Sequence, residues 1–203
     1  MKALQLLKYG PIGDSLAFNV TSKPSIQSKD VLIEVKAAAI NPIDKSIIAG
    51  NLQGMIPIPF QSTIAYDVSG IVVEKGDEVN DFEIGDLVYS RVPQEQMGTI
   101  AEYVSVNSIA VSKKPGNISF EEAASLPLAG LTAIQSLEYA CISEHDKVLI
   151  HAGSGGVGVS LYSMPRQKEP MFTLLQVQAM YNGSERLEQI ELLITKQRII
   201  NPS

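Results

Sequence analysis

Hydrophobic and polar positions alternate along the first half of this chain and stop alternating in the second. Val31, Ile33 and Val35 interleave with Glu34 and Lys36, the period-two pattern of a strand with one face buried. Similar runs fall at 69–73, 87–92 and 100–106. Turn signals separate them: Tyr9-Gly10-Pro11, Lys75-Gly76-Asp77 and Gly85-Asp86. Short strands at this spacing predict a β barrel or sandwich over roughly the first 115 residues. The pattern then becomes helical. Ser119 with Glu122 three residues on predicts a capped helix start, and 131–140 a second helix. Residues 147–151, KVLIH, form a short β-branched run of the kind a buried parallel strand needs.

A glycine-rich turn follows that run: Ala152-Gly153-Ser154-Gly155-Gly156-Val157-Gly158. Glycines let the backbone approach a pyrophosphate, and the N–H groups of a helix start attract its charge. A dinucleotide fold needs further βα units after such a loop, yet the apolar pattern breaks from about Ser160. Pro165 and Pro170 interrupt it, and a polar stretch follows. Ser184 to Arg198 reads as an amphipathic helix, with Ser184 as cap, acidic residues early and basic residues late.

Composition narrows the choice of function. The 203 residues are 45% hydrophobic and 19% charged, with a formal net charge of -6. That charge argues against nucleic acid and anionic membranes as partners. Cys141 is the only cysteine, so neither an internal disulfide nor a cysteine-based zinc site can form. The opening MKALQLLKYG is too short an apolar stretch for a signal peptide, and no run approaches the length of a membrane span. The cytoplasm is the expected compartment.

Five ordered motifs then carry a resemblance. They are Val35 to Asp44 (VKAAAINPID), ending in Asn-x-x-Asp; Tyr66 to Val72 (YDVSGIV); Phe82 to Tyr89 (FEIGDLVY); Ala123 to Ala133 (AASLPLAGLTA); and the glycine loop. In this order they resemble the medium-chain dehydrogenase/reductase superfamily, in its zinc-free quinone oxidoreductase-like and enone reductase branch. The resemblance covers residues 1 to about 159. It implies an α+β chain: a GroES-like β-barrel domain (1–117), the start of an incomplete Rossmann-type α/β unit for NADP (118–162), and a tail outside the family pattern (163–203), partly helical or disordered.

The resemblance also implies chemistry. Members pass a hydride from NADPH to a quinone or an α,β-unsaturated carbonyl. Asn41 would lie beside the nicotinamide, Asp44 would organise that wall, and Tyr66 would line the pocket. Thr132, at a helix start, would contact the nicotinamide half. Gly153, Ser154, Gly155, Gly156 and Val157 would hold the diphosphate. Zinc-binding relatives have a Cys near the position of Asn41 and Gly-His-Glu where Ala65-Tyr66-Asp67 stands. Neither a Cys nor a His is available there, so no catalytic zinc is expected. Intact members commonly pair as homodimers.

Each residue has a plainer reading. Asn41-Pro42 would end a strand, and Asp44 would cap a helix over 45–49. Tyr66 would be core, Thr132 a helix-start cap, and His151 a structural strand-end residue. Ala65 stands where the branch usually has glycine, at a cost of about 1 kcal/mol if the position requires positive φ. For the tail, a back-translation of Leu187 to Ser203 read in a shifted frame gives a family-like strand and loop. That suggests an indel near the codons for Val159 to Leu161, and a polar, non-acidic strand tip favouring NADPH over NAD. Such a chain would carry impaired activity or survive as a binding module.

Overall fold

The computed structural model describes residues 1–141, 147–164, 171–175 and 195–196. The chain divides into two compact units, Met1–Leu128 and Ala129–Ser203. The architecture is mixed α and β, a β-rich unit followed by a partial α/β unit.

The first unit opens with β1 (Lys2–Leu6), a single helical turn α1 (Ile12–Ser15) and β2 (Leu16–Val20), an antiparallel pair. The main sheet follows. It comprises β3 (Asp30–Ala39), β4 (Asp67–Lys75), β5 (Leu87–Arg91), β6 (Tyr103–Asn107) and β7 (Val111–Lys113), in the order β6-β3-β4-β5-β7. Every pairing in it is antiparallel. Bridges Ala3↔Ala101 and Gln5↔Thr63 tie β1 to the chain around the main sheet. The core is Val31, Ile33, Tyr66, Val68, Val72, Val88, Val104 and Val106, joined by Ile47 from α2 (Pro42–Ile48).

The alternation expected in β3 holds only in part. Val31, Leu32 and Ile33 are all buried, so that end of the strand is covered on both faces. Helix α3 (Phe120–Ala124) packs against β3, β4 and β5, with Ala123 and Ala124 fully enclosed. A helix laid on a sheet turns an alternating strand into a continuous apolar run locally. The start of α3 is as the sequence predicts: Ser119 Oγ accepts from the Glu122 N–H, and the Glu122 carboxylate accepts from the Ser119 N–H. The run at 100–106 starts late, because regular pairing begins only at Tyr103.

The second unit contains most of α4 (Pro127–Ala140), then β8 (Lys147–His151), α5 (Gly156–Ser163), β9 (Met171–Leu175) and β10 (Thr195–Lys196). Its core is Ala133, Val148, Ile150 and Leu161, with Leu137, Val157 and Met164 packed against it. Strand β9 lies parallel to β8 in register Lys147↔Met171 to His151↔Leu175, and β10 pairs β8 antiparallel on its other side. Part of the tail that the sequence reads as partly helical or disordered is thus a strand. MFTLL has the aromatic and branched residues that suit a pleated surface. Strand β10 corrects the helix expected over 184–198, since Thr195 and Lys196 are extended. The rest of that helix lies outside the described residues. Among the described residues, no helix is long and apolar enough to cross a membrane.

Candidate functional site

In the first unit, the end of β3 delivers Asn41 to the N-cap of α2, with Pro42 at the first helical position, where its missing N–H costs nothing. Asp44 is therefore not the cap that the plainer reading of the sequence predicts; it is the third residue of the helix. Its Oδ2 reaches back to accept the N–H of Asn41 at 2.6 Å. The Asn41 side chain turns the other way: its Nδ2 donates to Oδ2 of Asp67 at 2.9 Å. The same Asp67 oxygen accepts the backbone N–H of Leu128 at 3.2 Å. Half-buried Asn41 is thus fixed by two carboxylates, its backbone N–H by Asp44 of the helix and its side-chain amide by Asp67 at the start of β4.

Both acids are buried, Asp44 to 2% exposure and Asp67 to 0%. Each keeps one oxygen, Oδ1, without a hydrogen-bond partner among the described residues. Loss of solvent is the largest influence and pushes both acids up from 3.8 to about 6. Hydrogen bonds from Asn41 pull back on both. For Asp67 the Leu128 N–H adds to this pull, whereas the neighbouring Asp44 charge pushes it higher. Arg91 lowers both through its charge.

Asp67 and Arg91 are the residues that sequence reasoning missed. Asp67 stands in the segment Tyr66 to Val72, next to Tyr66. Arg91 is the first arginine in the chain, at the end of β5 and in register with Asp67. Its guanidinium lies 4.9 Å from the centre of the Tyr66 ring. Among the described residues it makes no ion pair, so its charge is not spent on a surface carboxylate. Tyr66 is 1% exposed within the core. Its hydroxyl has no partner, and burial, opposed by Arg91, raises its pKa.

Ala65, just before this cluster, has φ of 75° and is fully buried. The position does require the left-handed region, and alanine occupies it under strain of about 1 kcal/mol or more. No group of three or more His, Cys, Asp or Glu among the described residues is arranged to hold a metal ion. A separate open groove of about 380 Å³, lined in part by Gln27, Asp30, Gln96 and Tyr103, contains none of these residues.

In the second unit, the glycine loop joins β8 to α5. Ser154, Gly155 and Gly156 are exposed, Val157 is half-buried and Gly153 is buried. The first turn of α5 leaves N–H groups without intrahelical partners, next to glycines that offer no side-chain obstruction. The tight turn itself is made by Ala152, at φ 50°, and none of the loop glycines has positive φ. Their role is close approach. A Cβ on Gly158 would sit 2.6 Å from both the Ala152 carbonyl oxygen and Gly153 Cα. Replacing Gly158 by alanine should therefore open the loop. The expected cost is roughly 1–3 kcal/mol in a denaturant melt, and any nucleotide binding should fall with it. An unchanged melt would show that the close approach is not needed.

The residues available fit a pyrophosphate here: an exposed glycine cradle, the start of an eight-residue helix, and no acidic residue in its first turn. Thr132 is not at a helix start. Helix α4 begins at Pro127, so Thr132 lies in its second turn, where its carbonyl accepts from Ser136 Oγ. The helix starts earlier than predicted because proline is well placed at a first turn.

Residues 27–116 match the alcohol dehydrogenase GroES-like domain. The chain is 37% identical over 164 residues to the 2-methylene-furan-3-one reductase of Solanum lycopersicum, covering 78% of this chain and 42% of the relative. It is equally similar, with the same coverage, to the chloroplastic NADPH-dependent alkenal/one oxidoreductase of Arabidopsis thaliana. The quinone oxidoreductase structure from Coxiella burnetii superposes with a TM-score of 0.76 at 38% identity, covering 86% of this chain and 56% of that one. The chain spans about half the length of the relatives it matches.

Proposed function

We propose, for a chain that belongs to the medium-chain dehydrogenase/reductase superfamily, that it is a lineage member of the zinc-independent, NADPH-dependent reductases of quinones and α,β-unsaturated carbonyls. The observation that carries this is Asn41 fixed twice, its backbone N–H by Asp44 and its side-chain amide by Asp67. Buried acids around a rigid amide suit a site that binds and orients. NADPH, when bound, supplies the hydride.

Asn41 would hold the nicotinamide end, and Asp44 would keep Asn41 in place through its backbone. Tyr66 would form the floor beneath Arg91, acting through packing rather than direct contact. Gly153, Ser154, Gly155, Gly156 and Val157 would receive the diphosphate, and Thr132 would contribute along α4. The electron-poor substrate is a small molecule, an enone or quinone. With its lone thiol at Cys141 exposed, the chain suits the reducing cytoplasm. Pairing of two copies belongs to the same reading.

A second reading is that of a binding module without turnover. The observation favouring it is that β9 is the one parallel neighbour of β8 among the described residues. A dinucleotide sheet carries several. Titrating the purified 203-residue polypeptide with NADPH, while following nicotinamide fluorescence, tests both readings. Weak binding with no enone-dependent oxidation is the expected result. Micromolar binding with enone-dependent oxidation would defeat the module reading; no binding at any concentration would defeat the reductase lineage as a description of this polypeptide.

A further inference from the structure

Asp67 is the more deeply buried of the two acids of the site, and the reading above gives it no part in ligand binding. An ionised carboxylate only accepts hydrogen bonds. Its Oδ2, fixed by the Leu128 N–H at 3.2 Å, therefore demands the Nδ2 edge of Asn41, which it receives at 2.9 Å. The other edge of that amide, Oδ1, must face away from Asp67. We propose that Asp67 is the positioning residue of the site: it orients the Asn41 amide so that Oδ1, an acceptor, is the atom offered to a ligand. The ligand must then present an N–H, and the carboxamide of a nicotinamide is a donor of that kind. This rests on the nicotinamide reading of Asn41.

Arg91 has a place in the same device. Asp67 feels the charges of Asp44 on α2 and of Arg91, its register partner on β5, and Tyr66, the residue before it, feels Arg91, Asp44 and Glu95. Asp44 works against ionisation of Asp67 and Arg91 works for it. A neutral Asp67 could donate to Oδ1 as readily as accept from Nδ2, and the amide would lose its defined direction. The hydrogen bonds from Asn41 and the Leu128 N–H do most to keep Asp67 the acceptor that this orientation needs, and Arg91, bound to no carboxylate among the described residues and resting on the Tyr66 ring, adds a smaller pull in the same direction.

The test is the NMR signal of the Asn41 side-chain amide in the full labelled chain, followed from pH 4.5 to 8. In the parent its shift should move with the same midpoint as the Asp67 carboxyl carbon. In Arg91→Gln that shared midpoint should rise. In Asp67→Asn the part of the pH response that tracks Asp67 should vanish, leaving only the response to Asp44, which holds the Asn41 backbone N–H, and NADPH affinity should fall roughly tenfold, as for one charge-assisted hydrogen bond. Backbone amide signals outside the site report whether each variant is folded; if Asp67→Asn is not, the parent and Arg91→Gln still decide. An Asn41 amide that ignores both pH and Arg91→Gln would overturn the proposal. If the parent shows the shared midpoint but binds no NADPH, the positioning role stands and the nicotinamide reading fails.

Discussion

Replacing Gly70 by alanine should cost about 3 kcal/mol or more and lower the melting temperature by roughly 6–12 °C. Gly70 lies mid-strand in β4, opposite Val35 of β3 and Val88 of β5. A Cβ there would collide with the backbone carbonyl oxygen of Glu34 and lie 2.7 Å from Ile33 Cγ2. Neither neighbour can retreat. Glu34 is paired on its other side with Tyr103 of β6, and Ile33 is fully buried. A register shift of β3 against β4 lies next to this point, between Val35 and Ala37. The right comparison is Gly54→Ala, because a Cβ at Gly54 meets nothing within 4 Å. That variant should stay within about 0.5 kcal/mol of the parent. Parallel urea melts decide the matter. A Gly70→Ala protein within 1 kcal/mol of the parent would mean that the main sheet yields where its packing says it cannot.

The second large effect concerns the two buried acids. Asp44 and Asp67 are raised from 3.8 to about 6, so the folded chain holds these protons more tightly than the unfolded one. The stability they contribute is complete below about 3.8. It is lost as pH rises through about 6. A shift of about two units corresponds to roughly 3 kcal/mol for one such carboxylate at neutral pH. Asp44→Asn removes one charge, relieves its repulsion of Asp67 and can still accept the Asn41 N–H. Allowing about 1 kcal/mol for the weaker hydrogen bond, the variant should gain roughly 2 kcal/mol at pH 7.5. That gain should disappear at pH 4. The difference between variant and parent, measured by urea melts across this range, isolates the acids from every other titrating group. A difference independent of pH would show that burial does not hold these protons. The site thus retains charge at the expense of stability, as binding sites commonly do.

The glycine loop was legible before any coordinates, because a run of glycines between a strand and a helix has few other uses. So were the capped start of α3, four of the five strands of the main sheet (β7 was not among them) and the Asn41-x-x-Asp44 pair. Sequence misjudged how those groups were used. Asp44 looked like a cap because acids favour helix starts, but the cap belongs to Asn41, and Asp44 reaches back to it. Thr132 looked like a helix start because the apolar pattern sharpened there, although Pro127 begins the helix. The left-handed backbone at Ala65 was suspected from the residue it replaced, and only coordinates supply its φ of 75°.

What the sequence determined by itself is local: period-two strands, proline and glycine punctuation, the capping residues and the glycine loop. These depend on neighbours a few residues apart, which any reader of the chain can see. Tertiary structure decided which atoms meet. Asn41 bonds Asp67 across 26 positions, and Leu128 reaches the same oxygen across 61. Arg91 becomes part of the site only because β4 and β5 pair in one register. Burial, too, is collective: Asp67 carries the same side chain in either state, and its proton is held near pH 6 because the folded sheet removes the water around it.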